Sequence, residues 1–478
     1  MTLTIPSLLY AGIICLLFYN VRRGLRLPLL VVASFAYAWY LAPYAAVAVL
    51  VTSAAAWLLG LLEAAARKRE NQKLTRILAG IGIGLCVLSL LVMKDLPLVR
   101  PSILDAHPIL GGVLMPLGFS FYLFQVISYL ADVATGKTEA VRSPWKVFLM
   151  LAWFPKFVSG PIERTEGFRQ QIDRLDAVDV FSTVRWKYVL HYCLVGMFLK
   201  LVIADRFAMS VDTIFENYAG FSTVWLLIGA ILYSFQIYAD FAGYSYVAVG
   251  VSLAFGLQLS ENFNLPYQAE NITDFWRRWH ISLSSFLRDY VYIPLGGNRK
   301  GPARKALNTM IVFLLCGAWH GAGLQFIVWG ALHGLYSWLD GVLRGRNIRF
   351  LREGIIGRIL TFMGVTFAWI FFRAKDLTSA IGYLRTFLTA GPRWHSFAAE
   401  AEVLNIDPIE GWIIGILILW VLFWEAFAGR KATCIPKLTA AWHYVPRYIF
   451  IFIVLFAILI LGIYGGSFQG GNMIYMQF

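Results

Sequence analysis

The sequence predicts an all-α integral membrane protein of about eleven transmembrane helices, with re-entrant or interfacial helices between them. Composition is the first reason: of 478 residues, 59% are hydrophobic and 14% charged, against about 25% charged in soluble domains. The second is a mean hydropathy of +0.66, more apolar side chain than a chain of this length can hide from water. The third is pattern, because apolar runs recur along the chain at close to the roughly 20 residues that cross a bilayer. The 17 Trp and 23 Tyr suit rings at headgroup level.

In chain order the runs fall at residues 4–20, 27–42, 44–62, 77–96, 109–134, 147–160, 188–203, 222–256, 306–345, 355–373, 411–428 and 446–465. No Lys or Arg precedes the first, whereas Arg22, Arg23 and Arg26 follow it. A cleaved signal has the opposite order, so this run reads as a retained helix with its basic end in the cytoplasm. The 147–160 run holds Pro155, Lys156 and Gly160 and reads as a broken or re-entrant segment buried in protein. The 222–256 run has the length of a tilted helix plus an interfacial turn. Residues 375–410, with Gly391-Pro392, Glu400 and Glu402, read as an excursion on the side away from the cytoplasm.

Basic clusters lie at 67–76, at 137–146 and at 277–305, and all three are assigned to the cytoplasmic side. This bias accounts for much of the +14 formal charge and argues against a nucleic-acid partner. Cys15, Cys86, Cys193, Cys316 and Cys434 have no metal-like spacing, and neither HExxH nor a Cys/His cluster occurs, so no metal is expected.

Two segments break the apolar pattern. The first runs from Glu261-Asn-Phe-Asn-Leu-Pro-Tyr267 through Thr273-Asp-Phe-Trp-Arg-Arg-Trp-His-Ile-Ser282 to Phe286-Leu-Arg-Asp-Tyr-Val-Tyr-Ile-Pro-Leu-Gly-Gly-Asn-Arg-Lys300. Asn271 or Thr273 can cap a helix, with Asp274 in its positive first turn. Trp276 and His280 would then share a face, and Asp274 would pair with Arg278. Pro294 and Gly296-Gly297-Asn298 end the helical stretch. Taken alone, this is an amphipathic interfacial helix or a cationic mouth for an anionic cosubstrate such as coenzyme A. In the second reading Arg277, Arg278, Arg299 and Lys300, with Trp276 and Asn298, hold the phosphates and arms of that cosubstrate, and no permanently bound cofactor is expected.

The second segment is Phe313-Leu-Leu-Cys-Gly-Ala-Trp-His-Gly-Ala-Gly-Leu-Gln-Phe-Ile-Val-Trp-Gly-Ala-Leu-His-Gly334. It puts His320 near the middle of an apolar span, where an ionisable group is costly and marks a functional candidate. A histidine bonded to a backbone carbonyl is the structural alternative. Desolvation favours neutral imidazole, the form of a general base that deprotonates a hydroxyl attacking a thioester. No GxSxG elbow suggests a covalent serine. The small residues around His320 permit close helix packing or an opening for substrate. His333 would lie about 20 Å further along an unbroken helix, on another face, and reads as packed rather than catalytic. His107, His191, His395 and His443 receive the structural reading.

Trp276-Arg-Arg-Trp-His-Ile-Ser-Leu-Ser284 and Arg288-Asp-Tyr-Val-Tyr-Ile-Pro-Leu-Gly-Gly-Asn-Arg299 resemble the signature of the membrane-bound O-acyltransferases. Within that family they are similar to the bacterial branch that O-acetylates alginate and other exported polysaccharides. Similarity extends to Pro116-Leu-Gly-Phe-Ser-Phe-Tyr122, Phe154-Pro-Lys-Phe-Val-Ser-Gly-Pro-Ile162, Lys200-Leu-Val-Ile-Ala-Asp-Arg206, Tyr238-Ala-Asp-Phe-Ala-Gly-Tyr-Ser245, Gly317-Ala-Trp-His-Gly321 and the closing Tyr475 and Phe478. The sequence departs from the family at Tyr246, where Asp or Asn is frequent, and at Gly323-Leu-Gln325, where an aromatic-Asn pair is more usual.

The resemblance implies a ring of helices around a central funnel or tunnel, formed by a single polytopic domain over 1–478. N-terminal helices would occupy 1–108, the catalytic core 109–345 and C-terminal helices 346–478. His320 matches the family's essential histidine and His280 a second one. Acetyl-CoA would be used from the cytoplasm, and the acetyl group would cross the bacterial inner membrane. A periplasmic or extracellular acetyltransferase related to SGNH hydrolases would then carry it to the polysaccharide, with membrane lipids as further partners. Two alternatives stay open: transfer of D-alanine or another acyl group from a carrier protein, and a membrane transporter.

Overall fold

Residues 3–99, 118–321, 323–429 and 433–464 are described in the computed structural model, and every regular element among them is helical. His107, the first part of the 109–134 run, Pro116, Leu117, Tyr475 and Phe478 lie outside the described residues. Seven helices among the described residues are long and apolar enough to span a membrane: 23–41, Pro43–Lys68, 72–92, Thr223–Ala254, Gly354–Arg373, Pro408–Gly429 and Tyr444–Leu461. Ile5–Asn20 and Phe119–Thr135 are shorter apolar helices. Large apolar side chains such as Leu9, Ile81, Ile416 and Phe456 stand exposed on these helices. With no buried face left to cover them, they suit lipid, and the chain is a multi-pass membrane protein.

The chain divides into two compact units, residues 1–193 with 247–261, and residues 194–246 with 262–478. In the first, Pro43 opens the Pro43–Lys68 helix and Arg67 and Lys68 close it, the charge order that the helix dipole favours. Gly60 and Gly82 let neighbouring helices approach the Phe119–Thr135 helix. A Cβ on Gly60 would lie 2.5 Å from Tyr129 Oη, and one on Gly82 2.5 Å from Leu130 Cδ1. The 147–160 run is broken as expected: the Pro144–Ala152 helix stops and residues 153–163 continue as buried, irregular chain. There Trp153 Nε1 donates to Ser252 Oγ at 2.9 Å, and buried Lys156 donates to Met150 O at 2.7 Å.

The second unit differs from the expectation where it matters most. The 306–345 run is two helices, Gly301–His320 and Leu324–Gly345, with extended backbone at Gly321. They form an antiparallel hairpin joined by glycine. A Cβ on Gly317 would meet Phe326 O at 2.3 Å, one on Gly330 would meet Phe313 O at 2.3 Å, and one on Gly334 would meet Met310 Sδ at 2.7 Å. His320 is therefore the last residue of a helix rather than the middle of a span. The 222–256 run is one long helix, Thr223–Ala254, followed by a turn at residues 255–256, as its length suggested. Within residues 375–410 lie helices Leu377–Thr389 and Phe397–Val403.

Candidate functional site

The segment bearing His280 is built from two short helices, Ile272–Arg278 and Ile281–Leu287. Asn271 caps the first, its side chain accepting from Asp274 N at 2.9 Å, and Arg278 Nε donates to Asp274 at 2.9 Å as its spacing predicted. The helix then stops. His280 has φ +43°, left-handed backbone that is costly for a residue with a Cβ, so Trp276 and His280 do not share a helix face. This turn is held from outside: Ile281 N donates to Asn262 O at 3.0 Å and Ser282 N to Asn262 Oδ1 at 3.2 Å. The Phe263, Tyr267 and Phe275 rings pack around Trp279.

Both candidate histidines are buried, His280 at 1% exposure and His320 at 3%. They flank one indole, the Trp319 ring centroid lying 4.6 Å from His320 and 6.3 Å from His280. Phe241 covers His280 edge-on at 4.6 Å. Trp329 and Phe372 cover His320 at 5.1 Å and 5.0 Å. His280 lies outside the seven candidate spans, and burial pushes its imidazole down to about 3. It is uncharged throughout the physiological range.

The cationic residues separate into different settings. Arg277, Asn298, Arg299 and Lys300 are exposed, unlike the buried imidazoles. Arg278 is committed to Asp274 and is half-buried. Trp276 is half-buried, and its Nε1 donates to His333 Nδ1 at 3.2 Å. The turn after Pro294 is tied down by buried Asn308, whose amide donates to Gly297 O at 3.1 Å. Gln325, one of the departures from the family pattern, anchors the next connection by donating to Lys375 O at 3.0 Å.

His333 is the larger correction. The hairpin folds its helix back, so an unbroken rise of 1.5 Å per residue no longer separates it from His320. Its ring lies 4.8 Å from Trp329, the same indole that covers His320. The sequence reading also passed over Lys200, Asp205 and Asp240. Buried Lys200 Nζ contacts Asp205 at 2.8 Å and Asp240 at 2.7 Å, and Asp240 immediately precedes the Phe241 that covers His280. Charged residues inside apolar runs 188–203 and 222–256 were the available signal. Among the described residues, no group of three His, Cys, Asp or Glu converges on a metal position.

This arrangement offers two buried imidazoles beside one indole in an apolar setting, the equipment for proton transfer away from bulk water. Comparison with known proteins identifies the family. Residues 134–381 match the membrane-bound O-acyltransferase family. The chain is 37% identical to the probable alginate O-acetylase AlgI of Pseudomonas putida over 436 residues, covering 88% of this chain and 87% of that protein. It is 36% identical to a peptidoglycan O-acetyltransferase of Helicobacter pylori over 57% of this chain and 56% of that one. A teichoic acid D-alanyltransferase of Bacillus subtilis is 27% identical over 54% and 69%. The chain thus belongs to the membrane-bound O-acyltransferase family and is an acyltransferase, which removes the transporter alternative.

Proposed function

We propose that the protein uses acetyl-CoA from the cytoplasm and passes the acetyl group across the bacterial inner membrane towards an exported polysaccharide. The observation that carries this is the buried His320–Trp319–His280 cluster within an acyltransferase whose relatives include a probable alginate O-acetylase at 37% identity and a peptidoglycan O-acetyltransferase at 36%. His320 takes the proton of the attacking hydroxyl as its oxygen bonds to the thioester carbon. The C–S bond then breaks, and the same proton passes to the departing thiolate, leaving free coenzyme A. His280 is neutral, so it serves as a hydrogen-bonding partner along the acceptor's path rather than as a positive charge. The acceptor hydroxyl belongs to a periplasmic or extracellular SGNH-like acetyltransferase, which completes delivery. About eleven spans arranged as a ring around a funnel complete the proposed architecture.

Exposed Arg277, Arg299, Lys300 and Asn298 form the cytoplasmic entry for the donor phosphates. Single cysteines at Asn298 or Lys300, in a background lacking native cysteines, resist impermeant thiol reagents until cells are opened. Labelling of intact cells contradicts this sidedness. The transferred group is tested by deleting the gene and analysing the exported polymers by NMR. Loss of O-acetyl signal, restored by wild type and not by His320→Ala, is expected. Loss of D-alanyl ester with O-acetyl intact overturns the acetyl reading in favour of carrier-bound D-alanine.

A further inference from the structure

Two buried N–H groups, one on the Trp329 indole that covers His320 and one on His333 beyond it, are not used by the reaction outlined above. Trp329 is 1% exposed and His333 is 0% exposed. His333 Nδ1 accepts from Trp276 Nε1, so in the neutral ring the hydrogen sits on Nε2. Among the described residues neither His333 Nε2 nor Trp329 Nε1 has a hydrogen-bond partner. Leaving a buried donor unmatched costs about 1–3 kcal/mol, and native interiors rarely tolerate it without a reason. Trp369 Nε1 is another such donor, and two of them, on Trp329 and His333, stand four residues apart on one face of the Leu324–Gly345 helix. The Trp329 ring is 5.1 Å from His320 and 4.8 Å from His333.

The surroundings sharpen the point. Trp329 and His333 are walled by Phe372, Trp369, Phe313 and Phe275, rings that offer no acceptor oxygen. Tyr336 also borders His333, at 5.9 Å, yet both donors stay unmatched among the described residues. A largely apolar cage of this kind is completed by a ligand that brings an uncharged acceptor, and a carbonyl oxygen fits. A phosphate does not, because no cation shares the cage and burying its charge there is prohibitive. The Trp276 bond fixes the His333 tautomer, so the far nitrogen is kept as a donor.

We infer that Trp329 Nε1 and His333 Nε2 form a two-donor grip for the thioester carbonyl oxygen of the acyl donor, beside His320. The inference rests on the acetyl-CoA reading above. Negative charge grows on that oxygen as the hydroxyl attacks, so preorganised N–H donors stabilise the transition state more than the ground state. Trp276 is a positioning residue that acts through His333.

The test compares acetyl-CoA with ethyl-CoA, a thioether of similar shape that lacks the carbonyl, on purified full-length protein in nanodiscs. Trp329→Phe keeps the ring and deletes one donor. His333→Asn keeps an acceptor near the Nδ1 position and deletes the other. Each variant should weaken acetyl-CoA binding about three- to tenfold while leaving ethyl-CoA binding unchanged. A merely structural role lowers both affinities together, and that parallel loss, or no loss at all, overturns the assignment. The two substitutions are independent, so a variant that fails to fold leaves the other to decide. Wild-type protein that binds neither ligand overturns the donor reading itself. Binding by wild type with an unchanged ratio in the variants overturns only the two-donor grip.

Discussion

Gly317→Ala probes whether the hairpin, rather than the histidine alone, sets the site. A Cβ at residue 317 would stand 2.3 Å from Phe326 O, where ordinary contact begins at 3.4 Å. The obstacle is backbone of the facing helix, so no side chain can swing aside. The helices must part by about 1 Å, an overpacking strain of about 1–3 kcal/mol. His320 lies three residues further on the same helix and moves with it. A displacement of that size at reacting groups is worth roughly 10²-fold in rate. The assay pairs thermal melting in detergent with acetyl transfer in reconstituted vesicles. Gly341→Ala is the control, on the partner helix with nothing within 4 Å of the added carbon. If Gly317→Ala melts and turns over like Gly341→Ala, the glycine-set hairpin does not position His320.

Lys200→Met leaves Asp205 and Asp240 buried without their shared cation; a loss of about 3–5 kcal/mol is expected, read as collapse of folded yield, and Lys200→Met/Asp240→Asn should recover part of it. Asn271→Ala removes the cap of the Ile272–Arg278 helix, so about 1 kcal/mol of local stability and part of the turnover rate should go together. His280 sits at about 3 and is neutral from pH 5 to 8. His280→Gln should therefore lower the rate without changing the shape of the pH–rate profile in that range, and loss of an ionisation limb there would contradict the burial argument. Arg299→Gln/Lys300→Gln should weaken acetyl-CoA binding and flatten its salt dependence, because exposed charges are screened over about 8 Å at physiological salt.

Much of this was legible in the sequence, for reasons that differ between elements. The apolar runs announced membrane helices because lipid demands length and composition that local sequence displays. The Asn271 cap and the Asp274–Arg278 pair obeyed short-range helix rules. His320 and His280 stood out by chemistry and resemblance, and both are buried beside Trp319. What failed was whatever depends on a break in the backbone. Extended chain at Gly321 turns one long run into a hairpin, which moved His320 to a helix end and folded His333 back towards it. Left-handed backbone at His280 likewise undid the shared face with Trp276. A glycine pair in an apolar run signals either close packing or a reversal, and periodicity does not distinguish the two. The Lys200, Asp205 and Asp240 cluster is long-range, and only the fold brings its members together.

The most direct test of the central claim follows the acetyl group itself. Wild type and His320→Ala, reconstituted with matched melting temperatures, receive acetyl-CoA labelled in the acetyl carbon on the basic face. The SGNH-like partner and polysaccharide are supplied on the other. Wild type is predicted to move label to the far side with release of one coenzyme A per acetyl, and His320→Ala to fall by at least about 10²-fold with its folding intact. Undiminished transfer by well-folded His320→Ala protein would contradict the account.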